Sequence, residues 1–397
     1  MKRLWYLWGL YALLIASASF LIKHVFAPQR GDDTPAAVSA QQPPCACCCE
    51  KPPRDTSIVK WRVPLSSGVE CLEAALLGTN VENDLGWVVG ERTGRITALA
   101  PDGSIRWQVA HSNQTWQGVV PLWCALKIVM VSLQGTVCML DASSGKTLWT
   151  RETDGTFMHA PLCGKIGETW VLYQLSQSDS TVFCLRLDDG EVLWKSEPSN
   201  RCDGQPALLN DRLAFGNCDG VVYVLDANTG QRLGTIETGG QGDPMAGAMV
   251  WIGKGLMGTG TYLGHFLLLD PETMTCLDKV KIADRECFAT PVAMGEGTVA
   301  MGTPDGRITL WDTSERKLQS KGEIQIAKDG IDEMVFDYDR KCLWVLAGRT
   351  FCNVDMERKE VQTFNIGDNM KSLTISRYGD LALLADGDVV CIDMEKK

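Results

Sequence analysis

A turn-and-aspartate unit recurs along most of this chain about every 40–45 residues, and it constrains the fold more than any other feature. A hydrophobic residue followed by aspartate ends a strand-like run at Asp141, Asp226, Asp270, Asp312, Asp355 and Asp393. Six residues earlier stands a turn position, occupied by Gly135, Gly220, Gly264, Gly306, Arg349 and Gly387. Two further units keep this spacing but lack the aspartate and end at Ala100 and Arg186, which makes eight units. A repeat of this length is that of a four-stranded propeller blade.

Within a unit, the apolar run after a proline (Pro121, Pro161, Pro206, Pro244, Pro291) reads as strand A, since proline is tolerated at a strand's first residue. Strand B ends at a turn such as Asp219-Gly220 or Asp305-Gly306, where glycine supplies the positive φ of a tight hairpin. Strand C ends at the column aspartate, whose carboxylate is expected to accept hydrogen bonds from the N–H groups of the next turn, and strand D follows. Aspartates in such a column do turn chemistry and are not acid–base pairs. The 39 glycines, 16 prolines and 45% hydrophobic residues suit an all-β protein with many turns around a sizeable core.

The last unit stops shortly after Asp393, one strand short. The segment Ser57-Ile-Val-Lys-Trp61-Arg-Val-Pro-Leu65 resembles a strand D placed ahead of the first strand A. Pairing it into the last blade closes the ring and removes the open edge. The expected fold is therefore an eight-bladed all-β propeller over residues 57–397.

Residues Leu4–Ile22 are 19 uncharged residues behind Lys2 and Arg3, the length of a membrane-spanning helix, with the positive-inside rule placing the remainder across the membrane. The Ala16-Ser17-Ala18 site allows a cleaved signal peptide as the alternative reading of residues 1–27, and export follows either way. Residues 28–56 form a Pro/Ala/Gln-rich tether containing Cys45, Cys47, Cys48 and Cys49, too closely spaced to enclose a tetrahedral ion without strain. The net charge of −11 and the lack of a basic aromatic run exclude nucleic acid as a partner. Of the 16 cysteines, those in strands, such as Cys138, Cys184 and Cys391, read as small packing residues.

The strings Pro101-Asp-Gly103-Ser-Ile-Arg-Trp107, Asp141-Ala-Ser-Ser-Gly145-Lys-Thr-Leu-Trp149 and Asp188-Asp-Gly190-Glu-Val-Leu-Trp194 resemble the repeat of pyrroloquinoline-quinone-like propellers. The resemblance implies that Trp61, Trp107, Trp149 and Trp194 dock between neighbouring blades; at a fixed offset from the aspartate the column continues as Gly234, Asp278, Ser320 and Thr363. Quinone-dependent dehydrogenases of this type carry a vicinal disulfide over the cofactor, whereas the adjacent cysteines here precede the propeller, and no long insert shapes a site. The four histidines are scattered and no nucleophile or metal motif is present, so neither a catalytic residue nor a cofactor is expected.

The chain is also similar to the propeller of the bacterial outer-membrane protein assembly factor. That resemblance implies a non-catalytic scaffold on the non-cytoplasmic side, periplasmic in a bacterium, whose partner is another envelope protein. A ligand-sensing ectodomain is a further reading, although a cytoplasmic stub of a few residues holds no signalling domain. The loops before the strand-A prolines share one face of the ring and supply the candidate partner-binding residues Trp116, His159, Arg201, Asp243 and Arg285, along with Asp203 and Glu286.

Overall fold

The strand-and-turn pattern closes into a ring. The computed structural model describes residue 54 and residues 57–394, except 66–67, 81–83, 239–242, 296 and 377–379. The expectations for residues 1–27, for the tether and for Cys45–Cys49 lie outside the described residues.

The described residues form eight antiparallel sheets of four strands each. Blade 1 shows the pattern: strand A is Val69–Leu76, B is Leu85–Glu91, C is Arg95–Leu99 and D is Ile105–Ala110. In blade 8, strands Met370–Ile375, Leu381–Ala385 and Asp388–Ile392 are completed by Val59–Pro64, which pairs with the last strand from Trp61↔Cys391 to Pro64↔Asp388. The amino-terminal strand thus supplies the missing D. The first strand of blade 1 touches the first strands of both blade 2 (Trp116–Leu122) and blade 8, so the A strands surround the axis and the D strands form the outer wall.

The B and C strands are apolar on both faces because each sheet is covered by its two neighbours. Leu85–Glu91 and Cys342–Ala347 are buried throughout. The buried cysteines pack as small apolar residues, and burial pushes the thiols of Cys138, Cys184, Cys352 and Cys391 up to about 12.

The aspartate column does the turn chemistry expected of it. Asp141 accepts from Ser144 N at 2.9 Å, Asp226 from Asn228 N at 2.7 Å, Asp270 from Glu272 N at 2.8 Å, Asp312 from Ser314 N at 2.8 Å and Asp355 from Glu357 N at 2.9 Å. Asp393 differs, because its strand D comes from the other end of the chain; its backbone N–H donates to Ile58 O at 2.7 Å.

Two columns depart from the expected register. Pro161, Pro206 and Pro291 immediately precede strand A, but Pro121 lies inside strand A of blade 2, opposite Ile128, and Pro244 precedes its strand (Val250–Gly253) by several residues. Strand A is a sheet edge facing the axis, where a missing N–H breaks no ladder. The tryptophan column also shifts in the later blades. Each tryptophan pairs with the residue two before the column position: Trp61 with Cys391, Trp107 with Ala98, Trp149 with Met139 and Trp194 with Cys184. By the same pairing the column continues as Gly234, Asp278, Gly322 and Gln362. Ser320 and Thr363 are displaced because the C–D turn of blade 6 spans from Asp312 to Gln319, longer than the Asp270-to-Thr275 turn of blade 5, and blade 7 lacks the bulge.

The docking of the tryptophans between blades is direct. The indoles of Trp61, Trp107 and Trp149 donate to the carbonyls of Pro101, Ala142 and Leu187 in the next blade at 2.8, 2.8 and 3.1 Å. Each indole lies flat on a turn glycine: Trp61 on Gly103, Trp107 on Gly145, Trp149 on Gly190 and Trp194 on Gly230. A Cβ at Gly145 would stand 2.5 Å from the Trp107 ring. Trp194 makes the same ring contact, but its Nε1 has no hydrogen-bond partner among the described residues.

Candidate interaction surface

Because successive strands run in opposite directions, the D–A connections and the B–C turns emerge together at one face. They are bonded to each other there: Thr153 N donates to Gly135 O at 3.0 Å, Cys218 N to Arg201 O at 2.8 Å and Ile331 N to Thr303 O at 3.0 Å. Each loop is thereby fixed to the rigid blade beside it.

Asp203 organises the part of this face that spans blades 3 to 5. Its Oδ1 accepts from Arg201 Nε at 2.7 Å and from Gln177 Nε2 at 2.8 Å, and its Oδ2 accepts from Tyr262 OH at 3.0 Å. Its backbone oxygen lies 3.0 Å from Nε2 of the exposed His159, whose own carbonyl accepts from Gln174. Burial and the Asp203 carboxylate push the Tyr262 phenol up to about 12, so it remains a donor. The Tyr262 ring meets Phe288 edge-on at 5.3 Å; Phe288 is 52% exposed, and Leu263, which follows Tyr262 in the chain, is exposed as well. The exposed Arg285 donates to Pro304 O at 2.9 Å. His159 and Arg201 therefore sit together, with Arg285 beyond an apolar patch of Leu263 and Phe288 that loop composition did not single out.

Two expected contact residues are not on the surface. Trp116 is fully buried, donates to Gly94 O at 2.9 Å and meets His111 edge-on; it begins strand A of blade 2 and packs inward. Asp243 is also buried and is held by Lys279 Nζ and His265 Nδ1, each at 2.8 Å, and by Leu263 N at 3.0 Å. Burial opposes its ionisation, but the hydrogen bonds led by Lys279 outweigh it and hold the carboxyl below its usual range. Its carboxylate fixes the Leu263 turn and is not free for a partner.

The axis holds a feature absent from the sequence reading. Glu73 and Glu333 stand on the A strands flanking strand A of blade 8. Glu73 Oε1 accepts from Thr374 Oγ1 at 2.6 Å, and Glu333 Oε2 accepts from Leu373 N at 2.8 Å, an amide turned toward it by a bulge at Ser372, whose φ is +57°. Burial, with a smaller contribution from the Glu73 charge, raises Glu333 to about 7. Burial likewise raises Glu73. The signal for Glu73 was an acid in the middle of the otherwise apolar stretch Cys71-Leu-Glu73-Ala-Ala-Leu76. Among the described residues no three His, Cys, Asp or Glu side chains gather as metal ligands.

Residues 92–247 match the family model of the outer membrane protein assembly factor BamB. Three curated proteins of that name are similar to this chain. That of Shewanella oneidensis is 23% identical over 168 residues, covering 40% of this chain and 41% of that protein. That of Marinobacter adhaerens is 25% identical over 123 residues, covering 31% and 30%, and that of Bordetella pertussis is 30% identical over 112 residues, covering 28% and 27%. The chain thus spans less than half the length of these relatives. Among solved structures, BamB from Moraxella catarrhalis superposes with a TM-score of 0.62 at 17% identity, over 85% of this chain and 97% of that one. Sqt1 of Saccharomyces cerevisiae reaches 0.67 at 12% identity, over 83% and 98%. These superpositions show a shared propeller fold. With the repeat strings in blades 1 to 4, the matches establish a pyrroloquinoline-quinone-like propeller resembling the outer-membrane assembly factor.

Proposed function

We propose that this chain is a non-catalytic scaffold of the cell envelope, tethered by residues 4–22 and presenting the face of its D–A loops to another envelope protein. The observation that carries this reading is the Asp203-centred surface, where Arg201 and His159 stand beside exposed Phe288 and Leu263 on loops bonded to rigid blades. Arginine and aromatic side chains on a pre-organised surface are the residues that dominate protein–protein binding energy. The similarity to proteins named outer membrane protein assembly factor supports the placement of the ring in the envelope and a part in outer-membrane assembly. The tether reading rests on 19 uncharged residues behind Lys2 and Arg3.

Charge reversal with truncation tests the surface. In cells, cross-linked complexes of the chain carrying Arg201→Glu and Arg285→Glu, and separately Phe288→Ala, are compared with those of the unaltered chain. Loss of one envelope protein from both variants at unchanged melting temperature is the expected result. Undiminished cross-linking in folded variants contradicts the assignment.

A further inference from the structure

The wedges between blades are filled in different ways around the ring. From blade 8 to blade 4 an indole comes from strand D and lies on a turn glycine of the next blade. At the wedge between blades 4 and 5 the exchange is reversed: the strand residue is Gly234, and Met274, at the turn position with φ +54°, reaches back toward it. The wedge between blades 6 and 7 has the same reversed form, with Gly322 on the strand and Lys359 on the turn at φ +58°. A Cβ at Gly322 would meet only Lys359 Nζ, at 3.6 Å.

A lysine stem does not fill the space of an indole, and a cavity of about 480 Å³ remains. Met294, Leu310, Phe336 and Met356 line it with apolar and polarisable surface, and Tyr338, 55% exposed, forms the lip. Three cations surround the opening. Lys341 and Lys359 have no ion-pair partner among the described residues, Lys321 is 4.0 Å from Asp312, and Glu357 is the one acid in the lining. The volume falls in the range of ligand pockets, and the charge at its mouth favours an anion.

We propose that this wedge receives an aromatic side chain from an acidic segment of a partner protein, the ring entering where other wedges hold their own indole and the flanking carboxylates meeting Lys321, Lys341 and Lys359. Tryptophan fits best, because its apolar ring fills the slot while its N–H finds a carbonyl at the turn, as Trp107 does at Ala142. The wedge opens at the end of the A–B and C–D turns, opposite the Asp203 surface, so this docking does not depend on what binds there.

Fluorescence polarisation with the purified full-length chain tests it, using a labelled peptide with one tryptophan between aspartates and glutamates. Exchanging that tryptophan for alanine weakens binding roughly 30-fold or more, as for an anchor residue. Lys341→Glu with Lys359→Glu weakens binding of the tryptophan peptide. Lys359→Trp places an indole in the wedge from the turn, as Met274 places its side chain, and abolishes binding with the melting temperature held or raised. Equal affinity for the tryptophan and alanine peptides, or full binding by folded Lys359→Trp protein, overturns the proposal.

Discussion

Gly145→Ala tests the packing between blades, because two separate costs meet at that position and one can be removed. The first is backbone strain: Gly145 has φ +71°, and a left-handed conformation costs an L-residue about 1–2 kcal/mol. The second is collision, since the new Cβ stands 2.5 Å from Cε3 of Trp107, a ring held by its hydrogen bond to Ala142 O, and overpacking of this kind costs about 1–3 kcal/mol. In a Trp107→Ala background the collision disappears and the strain remains. The same substitution then costs about 1–2 kcal/mol, a coupling of about 1–3 kcal/mol between the two sites. Gly255→Ala is the control, because Gly255 has φ +75° with nothing within 4 Å of a Cβ. Urea midpoints of the four proteins of the cycle, with the control, measure each cost. Equal costs for Gly145→Ala in both backgrounds would refute the claim that the indole closes the wedge on this glycine.

Glu333 makes stability depend on pH. Its folded pKa, raised by burial to about 7 from the usual 4.5, means that the folded ring keeps a proton which the unfolded chain has released. Stability contributed by this group is therefore full below about pH 4.5 and is lost as pH rises to about 7, by about 3 kcal/mol in all. Glu333→Gln keeps an acceptor for Leu373 N and should melt higher than the unaltered chain at pH 8 but not at pH 5; thermal melts at the two pH values check this. Trp107→Phe should destabilise more than Trp194→Phe by about 1 kcal/mol, because it leaves Ala142 O without its indole donor, whereas Trp194 Nε1 has no acceptor among the described residues. Matched urea titrations decide that comparison, and equal losses would contradict it.

The fold was legible where a local rule repeats. An aspartate that accepts from the next turn's N–H, or a tryptophan that needs a glycine beneath it, leaves a similar short string in every blade that has it, and Asp141-Ala-Ser-Ser-Gly145 carries both signals. The closing strand was legible because Trp61 belongs to the same column as Trp107 and Trp149. Fixed offsets failed where a turn changed length: the longer C–D turn of blade 6 moved the column from Ser320 to Gly322, and a glycine leaves no sign of the vacant wedge behind it.

The candidate surface was legible only in part, for a physical reason. A loop's composition does not say which way a side chain points. Trp116 turns inward to Gly94 and Asp243 inward to Lys279, whereas Arg201 and His159 turn outward around Asp203. Phe288 and Leu263 were missed because single apolar residues in loops carry no period. Glu333 was missed because its pKa is raised by burial, which its own strand's sequence does not show, against the opposing hydrogen bond from the bulged Leu373 N–H of another blade.

Native mass spectrometry of the protein purified from its own membranes tests the scaffold assignment most directly. The expected result is an intact Met1, a stoichiometric envelope protein and no added cofactor mass. A stoichiometric quinone with no partner polypeptide would contradict the account and make the ring a redox enzyme.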